Sequence, residues 1–144
     1  VTGQEPSGIL AAVADGMGGL VNSGAVSQAL TETLAEEFTP DPRFPPARQL
    51  QIAFQQAVGK VDALFRDHSS RRGSTLVACL VQNGALSWLS VGDSRIYLWR
   101  DGGLIQLNRE HNFFHDLTLL ALQGDLTFEE ADADPRRENL TSYI

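Results

Sequence analysis

Between Val26 and Phe65 apolar residues recur at helical spacing, and from Gly73 onward they fall into short β-rich runs. That single change of period limits the chain to folds in which helices and strands are segregated. The first helical face runs through Val26, Ala29, Leu30, Thr33, Leu34 and Phe38, with Gln28, Glu32, Glu36 and Glu37 turned elsewhere. Pro40, Pro42, Pro45 and Pro46 then mark a stiff linker, with Pro46 where a first helical turn tolerates it. A second apolar face follows through Leu50, Ala53, Phe54, Ala57, Val58, Val61, Leu64 and Phe65. Strands are expected over 75–81, 86–91 and 96–99, separated by Asn83-Gly84 and Gly92-Asp93-Ser94, with a further short run over 104–107 after Asp101-Gly102. An antiparallel meander is the simplest arrangement of these runs. A Rossmann-like alternation of strand and helix is disfavoured.

Ahead of the helices, residues 9–14 form an apolar run suited to a strand buried on both faces, and it stops at Asp15-Gly16. After the strands, residues 116–123 are expected to form a short helix stopped by Gly124. Thr127 and Glu130 have the spacing of a capping box opening another helical turn. Residues 140–144 are apolar and β-leaning, with no closing element after them.

Charge and composition narrow the function classes. Eighteen acids against eleven bases give a net charge of −7, and no Lys/Arg stripe with interleaved aromatics is present, which argues against a nucleic-acid surface. No apolar run approaches the roughly 20 residues of a membrane span, and the start at Val1 lacks the basic and apolar stretches of a signal peptide. A cytoplasmic globular domain is the expectation. The single cysteine, Cys79, is expected to be a small buried hydrophobe.

Asp15-Gly16-Met17-Gly18-Gly19 offers a hard carboxylate oxygen at a strand end, next to a glycine carbonyl that no side chain obstructs. Such donors suit Mg²⁺ or Mn²⁺; a tight strand-to-helix turn is the other reading, and both stand at this point. A phosphate-binding P-loop is set aside because no Gly-Lys-Ser/Thr follows. Gly92-Asp93-Ser94 by itself is a turn. Ser94 has neither a Gly-x-Ser-x-Gly context nor a recognisable triad histidine, and Arg95 is expected to pair with a carboxylate. His111 and His115 are four apart and could share a helix face; local packing or capping is the favoured role for them. His68 sits at an expected exposed helix end.

Taken in order, these segments resemble the PP2C-like (PPM) family of metal-dependent protein phosphatases, particularly its bacterial members. Residues 8–19 look like the family's strand and Asp-Gly-x-Gly-Gly signature, and Gly73-Ser74-Thr75 looks like its Gly-Ser/Thr-Thr strand start. Val91-Gly92-Asp93-Ser94-Arg95-Ile96-Tyr97 looks like its Val-Gly-Asp-Ser-Arg-x-Tyr hairpin, and Leu107-Asn108-Arg109-Glu110-His111-Asn112 is similar to its Leu-Thr-x-Asp-His-Ser segment. Residues 111–144 resemble the flap region of bacterial members.

The resemblance implies an α+β fold, a β-sandwich flanked by helices in α-β-β-α layers. It implies that Asp15 bridges two core Mn²⁺ or Mg²⁺ ions with help from the Gly16 carbonyl, and that Asp93 is a ligand of a third ion. The implied reaction is hydrolysis of phosphoserine or phosphothreonine in proteins by a metal-activated water, the substrates being targets of a serine/threonine kinase. No catalytic side chain is implied. The family's preceding Arg and Asn-Glu-Asp segments and its later Ser-Asp-Gly and Asp-Asn segments have no counterpart here. The 144 residues are therefore expected to be a partial domain, incomplete at both ends and inactive alone. The alternative is a catalytically silent binding or regulatory module that keeps the scaffold.

Overall fold

The computed structural model describes residues 8–17, 23–66 and 73–144. Strand β1 (Ile9–Val13) is followed by helices α1 (Ser23–Glu37) and α2 (Pro46–Phe65), strands β2 (Leu76–Gln82), β3 (Ala85–Val91), β4 (Tyr97–Arg100) and β5 (Gly103–Gln106), and helices α3 (Phe113–Gln123) and α4 (Phe128–Ala133). The segregation of helices from strands expected from the change of period is present. α2 begins at Pro46 as anticipated, where the missing N–H is one the helix could not use.

The expected single meander is instead two sheets. β1, β2 and β3 form an antiparallel sheet in that order, and among the described residues β4 pairs only with β5. The division falls at Gly92, whose φ of +97° turns the chain out of the sheet. Beyond it the buried Asn108 side chain accepts from Ile96 N–H at 2.7 Å and donates to Ser94 O at 2.9 Å, replacing the strand neighbour that 94–96 would otherwise need. The two hairpin turns are where the sequence puts them: Asn83-Gly84 and Asp101-Gly102 both carry two successive positive φ values, the conformation that matches strand twist.

One face of the three-stranded sheet packs on the helices. Leu76, Ala78 and Leu80 of β2 meet Val26, Leu30 and Leu34 of α1 and Leu50, Ala53, Ala57 and Val61 of α2, with Leu10 and Ala12 of β1 at the margin. Leu30, Leu34, Leu50, Leu76 and Leu80 are fully buried, each contributing roughly 1.5–3 kcal/mol of transfer free energy. The opposite face is apolar but uncovered: Ile9, Val13, Val81, Leu86 and Trp88 are all exposed. β1 is thus buried on one face, not two, and Cys79, which shares the uncovered face, is half-buried, not enclosed. Periodicity reports that a strand is apolar, not what lies over it.

The last third is a separate small unit built on Leu117, Ala121 and Ala131. α3 begins three residues earlier than expected and ends at Gly124, whose left-handed φ of +85° lets its N–H reach Ala121 O. α4 has the complete Thr127–Glu130 capping box. The tail forms no strand, yet Leu140 bridges Asn112, and Ile144 exchanges backbone hydrogen bonds with Ser74 at 2.9 and 3.0 Å. Among the described residues, no helix is long and apolar enough to cross a membrane.

The two faces make opposite demands on substitution. Leu30→Ala, at a position with 0% exposure, is expected to lower the unfolding free energy by about 2–5 kcal/mol in urea titration. Ile9→Lys, at 69% exposure, is expected to change it by less than about 1 kcal/mol while reducing the binding of a hydrophobic dye.

Candidate metal centre

β1 carries Asp15 to the point where β2 is about to start, and the two backbones are joined there. Thr75 N–H donates to Asp15 O at 2.9 Å, Asp15 N–H donates to Thr75 Oγ1 at 3.2 Å, and Met17 N–H donates to Gly73 O at 3.0 Å. Gly16 and Ser74 form an isolated bridge between these bonds. The close approach depends on Gly73, because a Cβ there would lie 2.3 Å from Met17 Sδ and 2.8 Å from the Tyr143 ring. Asp15 itself is exposed.

A second carboxylate arrives from the break between sheets. Gly92 lies against Thr75, with room for no side chain: a Cβ would fall 2.6 Å from Thr75 Cγ2. Ser94 Oγ is 2.7 Å from Thr75 Oγ1. The turn between them, which holds the half-buried Asp93, is braced from outside by the 107–112 segment. Arg95 donates twice to Glu110, Nε to Oε1 at 2.7 Å and the terminal nitrogen to Oε2 at 2.9 Å. His111 N–H donates to Gly92 O at 2.9 Å, while its Nδ1 accepts from Gly92 N–H at 3.2 Å. The Arg95 guanidinium holds the Glu110 carboxyl below its usual range, with burial opposing and Gln106 and Asn112 assisting.

The third wall comes from the return of the chain after α4. Arg137 O accepts from Phe114 N–H at 2.8 Å and Asn139 O from Phe113 N–H at 3.1 Å, so the segment caps the open amides of α3. Arg137 also lies over the Phe114 ring at 4.9 Å. Glu138, Asn139 and Leu140 are thereby set beside Asp15, Gly16, Met17, Thr75 and Asp93 around one cleft of about 330 Å³.

All three residues singled out in the sequence for metal binding, Asp15, Gly16 and Asp93, line this cleft. His111 lies ahead of α3, so it shares no helix face with His115, and its ring is committed to Gly92. Arg95 is paired with a carboxylate as expected. Gly18, Gly19 and His68 lie outside the described residues. Sequence reasoning missed Glu138 and Asn139, for which no local pattern gave a signal, and treated Thr75 only as a strand start. The lining offers carboxylate, carbonyl and hydroxyl oxygens without a thiolate or free imidazole, a donor set that fits a hard divalent cation. Among the described residues, no three His, Cys, Asp or Glu side chains are close enough to hold an ion by themselves.

The family model for Protein phosphatase 2C matches residues 2–117. The chain belongs to the protein phosphatase 2C family. It is 32% identical over 130 residues to the serine/threonine protein phosphatase PstP of Mycobacterium tuberculosis, covering 89% of this chain and 25% of PstP. The crystal structure of the PPM Ser-Thr phosphatase MsPP from Mycobacterium smegmatis, in complex with cacodylate, superposes with a TM-score of 0.73 and 33% identity, over 94% of this chain and 56% of that one. The catalytic domain of PstP in complex with two manganese ions superposes with a TM-score of 0.66 and 26% identity, over all of this chain and 66% of that one. The chain thus spans a quarter of the PstP sequence and little more than half of the MsPP chain.

Two outcomes follow for the Asp93 turn. Gly92→Ala is expected to cost about 1–3 kcal/mol in chemical denaturation, from the left-handed backbone and the contact with Thr75. The Arg95–Glu110 pair is complete above the ordinary carboxylate pKa of about 4.3 and is lost as pH falls through the lower value Glu110 has in the fold. Glu110→Gln is therefore expected to lower the urea midpoint near neutrality and to flatten its decline below about pH 4.3, measured against the wild-type chain.

Proposed function

We propose that the chain contributes part of the active site of a metal-dependent protein serine/threonine phosphatase, with Asp15, the Gly16 carbonyl and Asp93 as ligands of Mn²⁺ or Mg²⁺. The observation that carries this reading is the convergence of those three residues on one cleft from two separate turns. On this reading residues 1–144 are part of a single phosphatase domain, with 111–144 as its flap. Two core ions and a third are the expected complement, the substrates are cytoplasmic phosphoproteins made by a serine/threonine kinase, and the likeness to the serine/threonine phosphatase PstP and to its two-manganese complex supports the class.

Bound metal ions would supply a water of lowered pKa and neutralise charge on the phosphoryl oxygens. The chain's own residues do the holding. Asp15 and Asp93 present carboxylates to the cleft, Gly16 leaves its carbonyl unshielded, and Glu138 and Asn139 of the flap close the remaining side. No side-chain nucleophile is called for, in keeping with the bonding of the two groups that could have formed one: Ser94 Oγ is engaged by Thr75, and His111 Nδ1 by Gly92.

The second reading is a silent module that keeps the scaffold. The full-length protein decides between them. It is expected to hydrolyse p-nitrophenyl phosphate with Mn²⁺, to lose that activity in EDTA, and to lose at least about a hundredfold on Asp15→Asn, more than an outer-shell change costs. The 144-residue chain alone is expected to show no turnover. Hydrolysis that survives EDTA removes the metal reading, and a full-length protein inert with Mn²⁺ leaves the silent module.

A further inference from the structure

Thr75 touches both carboxylate-bearing turns through three different atoms. Its N–H donates to Asp15 O at 2.9 Å. Its Oγ1 accepts from Asp15 N–H at 3.2 Å and sits 2.7 Å from Ser94 Oγ. Its Cγ2 methyl fills the space that Gly92 leaves by having no side chain. The residue is 3% exposed, so water has little access to replace any of these contacts. Because Oγ1 already accepts from Asp15, its own hydrogen is available to Ser94 Oγ, and 2.7 Å is a short, well-formed O–H···O distance.

We infer that Thr75 is a positioning residue whose hydroxyl links the Asp15 strand end to the Asp93 turn and so fixes the spacing of the two carboxylates. The inference rests on the reading of Asp15 and Asp93 as cation ligands. A cation site of oxygen donors needs its ligands held to within roughly 0.5 Å, and β1 and β3, whose ends carry the two turns, each pair with β2 and not with one another. The Thr75 hydroxyl is a direct polar connection between them. A buried threonine at a strand start also has a plain packing role, and its two functions lie on different atoms: the methyl packs on Gly92, and the hydroxyl bridges.

Thr75→Val keeps the methyl and removes the hydroxyl; Thr75→Ser does the reverse. In the full-length protein, Mn²⁺ binding is read from the loss of the free-ion signal in electron paramagnetic resonance, and backbone order from hydrogen–deuterium exchange of peptides spanning 9–17 and 91–96. Thr75→Val is expected to weaken Mn²⁺ binding by about tenfold, the size of effect found when a group orienting a metal ligand is removed, and to speed exchange in both peptides. Thr75→Ser is expected to stay within about threefold of wild type. Ser94→Ala, a change at a half-buried site that leaves the strand core untouched, is expected to weaken Mn²⁺ binding in the wild-type background and to add nothing to Thr75→Val.

Equal losses in Thr75→Val and Thr75→Ser would reduce Thr75 to packing. Wild-type Mn²⁺ binding by both Thr75→Val and Ser94→Ala would overturn the hydroxyl link. If the wild-type protein binds no Mn²⁺, the metal reading fails and the positioning role fails with it. That result differs from the other two in appearing before any substitution is made.

Discussion

The antiparallel pairing of β1 with β2 is the constraint on which the remaining structure depends. It runs from Ile9 opposite Val81 to Val13 opposite Val77, and this register fixes what happens beyond the last pair. Asp15 arrives beside Thr75, Gly16 beside Ser74 and Met17 beside Gly73. A slip of one residue would turn Leu10 and Ala12 away from the helices and move Asp15 off the threonine hydroxyl. The same pairing therefore serves the core on one face and the cleft at one end. The buried leucines of α1, α2 and β2 hold it in place.

Asp93 lies two residues beyond the last pair of the β2–β3 ladder, Leu76 with Val91. Its turn is held by a set of polar contacts in which side chains stand in for strand neighbours: Asn108 for residues 94–96, the His111 ring for Gly92, and the Arg95–Glu110 pair across the outside. Both halves of the candidate site are thus anchored by backbone pairing with β2, and the Asp93 half has a further set of directional bonds, one of them ionic. The Asp93 half therefore has an acid sensitivity that apolar burial lacks, since the Arg95–Glu110 pair is lost as pH falls below the ordinary carboxylate range.

What the sequence reveals follows from how local each feature is. The hairpin turns at Asn83-Gly84 and Asp101-Gly102, the Gly124 stop and the Thr127–Glu130 box are settled within four residues, and all are where the pattern places them. The helical faces are also legible because period 3.6 is written along the chain. The convergence of Asp15 with Asp93 is not, since it depends on a contact between residues 60 apart, Asp15 and Thr75, followed by a second one to Ser94. The resemblance of motif order brought the two aspartates together on paper before any geometry did. Nothing comparable pointed to Glu138 and Asn139, and the β-rich runs after Gly73 gave no sign that they would divide into two sheets at Gly92.

The segment that forms the third wall of the cleft is also the N-terminal cap of α3. Arg137 and Asn139 give their carbonyls to Phe114 and Phe113 while Glu138 and Asn139 border the cleft. These residues cannot withdraw from the cleft and still satisfy the helix. Widening the cleft on that side would leave two amides of α3 for water to solvate and fray its first turn, so cleft width and helix length are one variable read at two places.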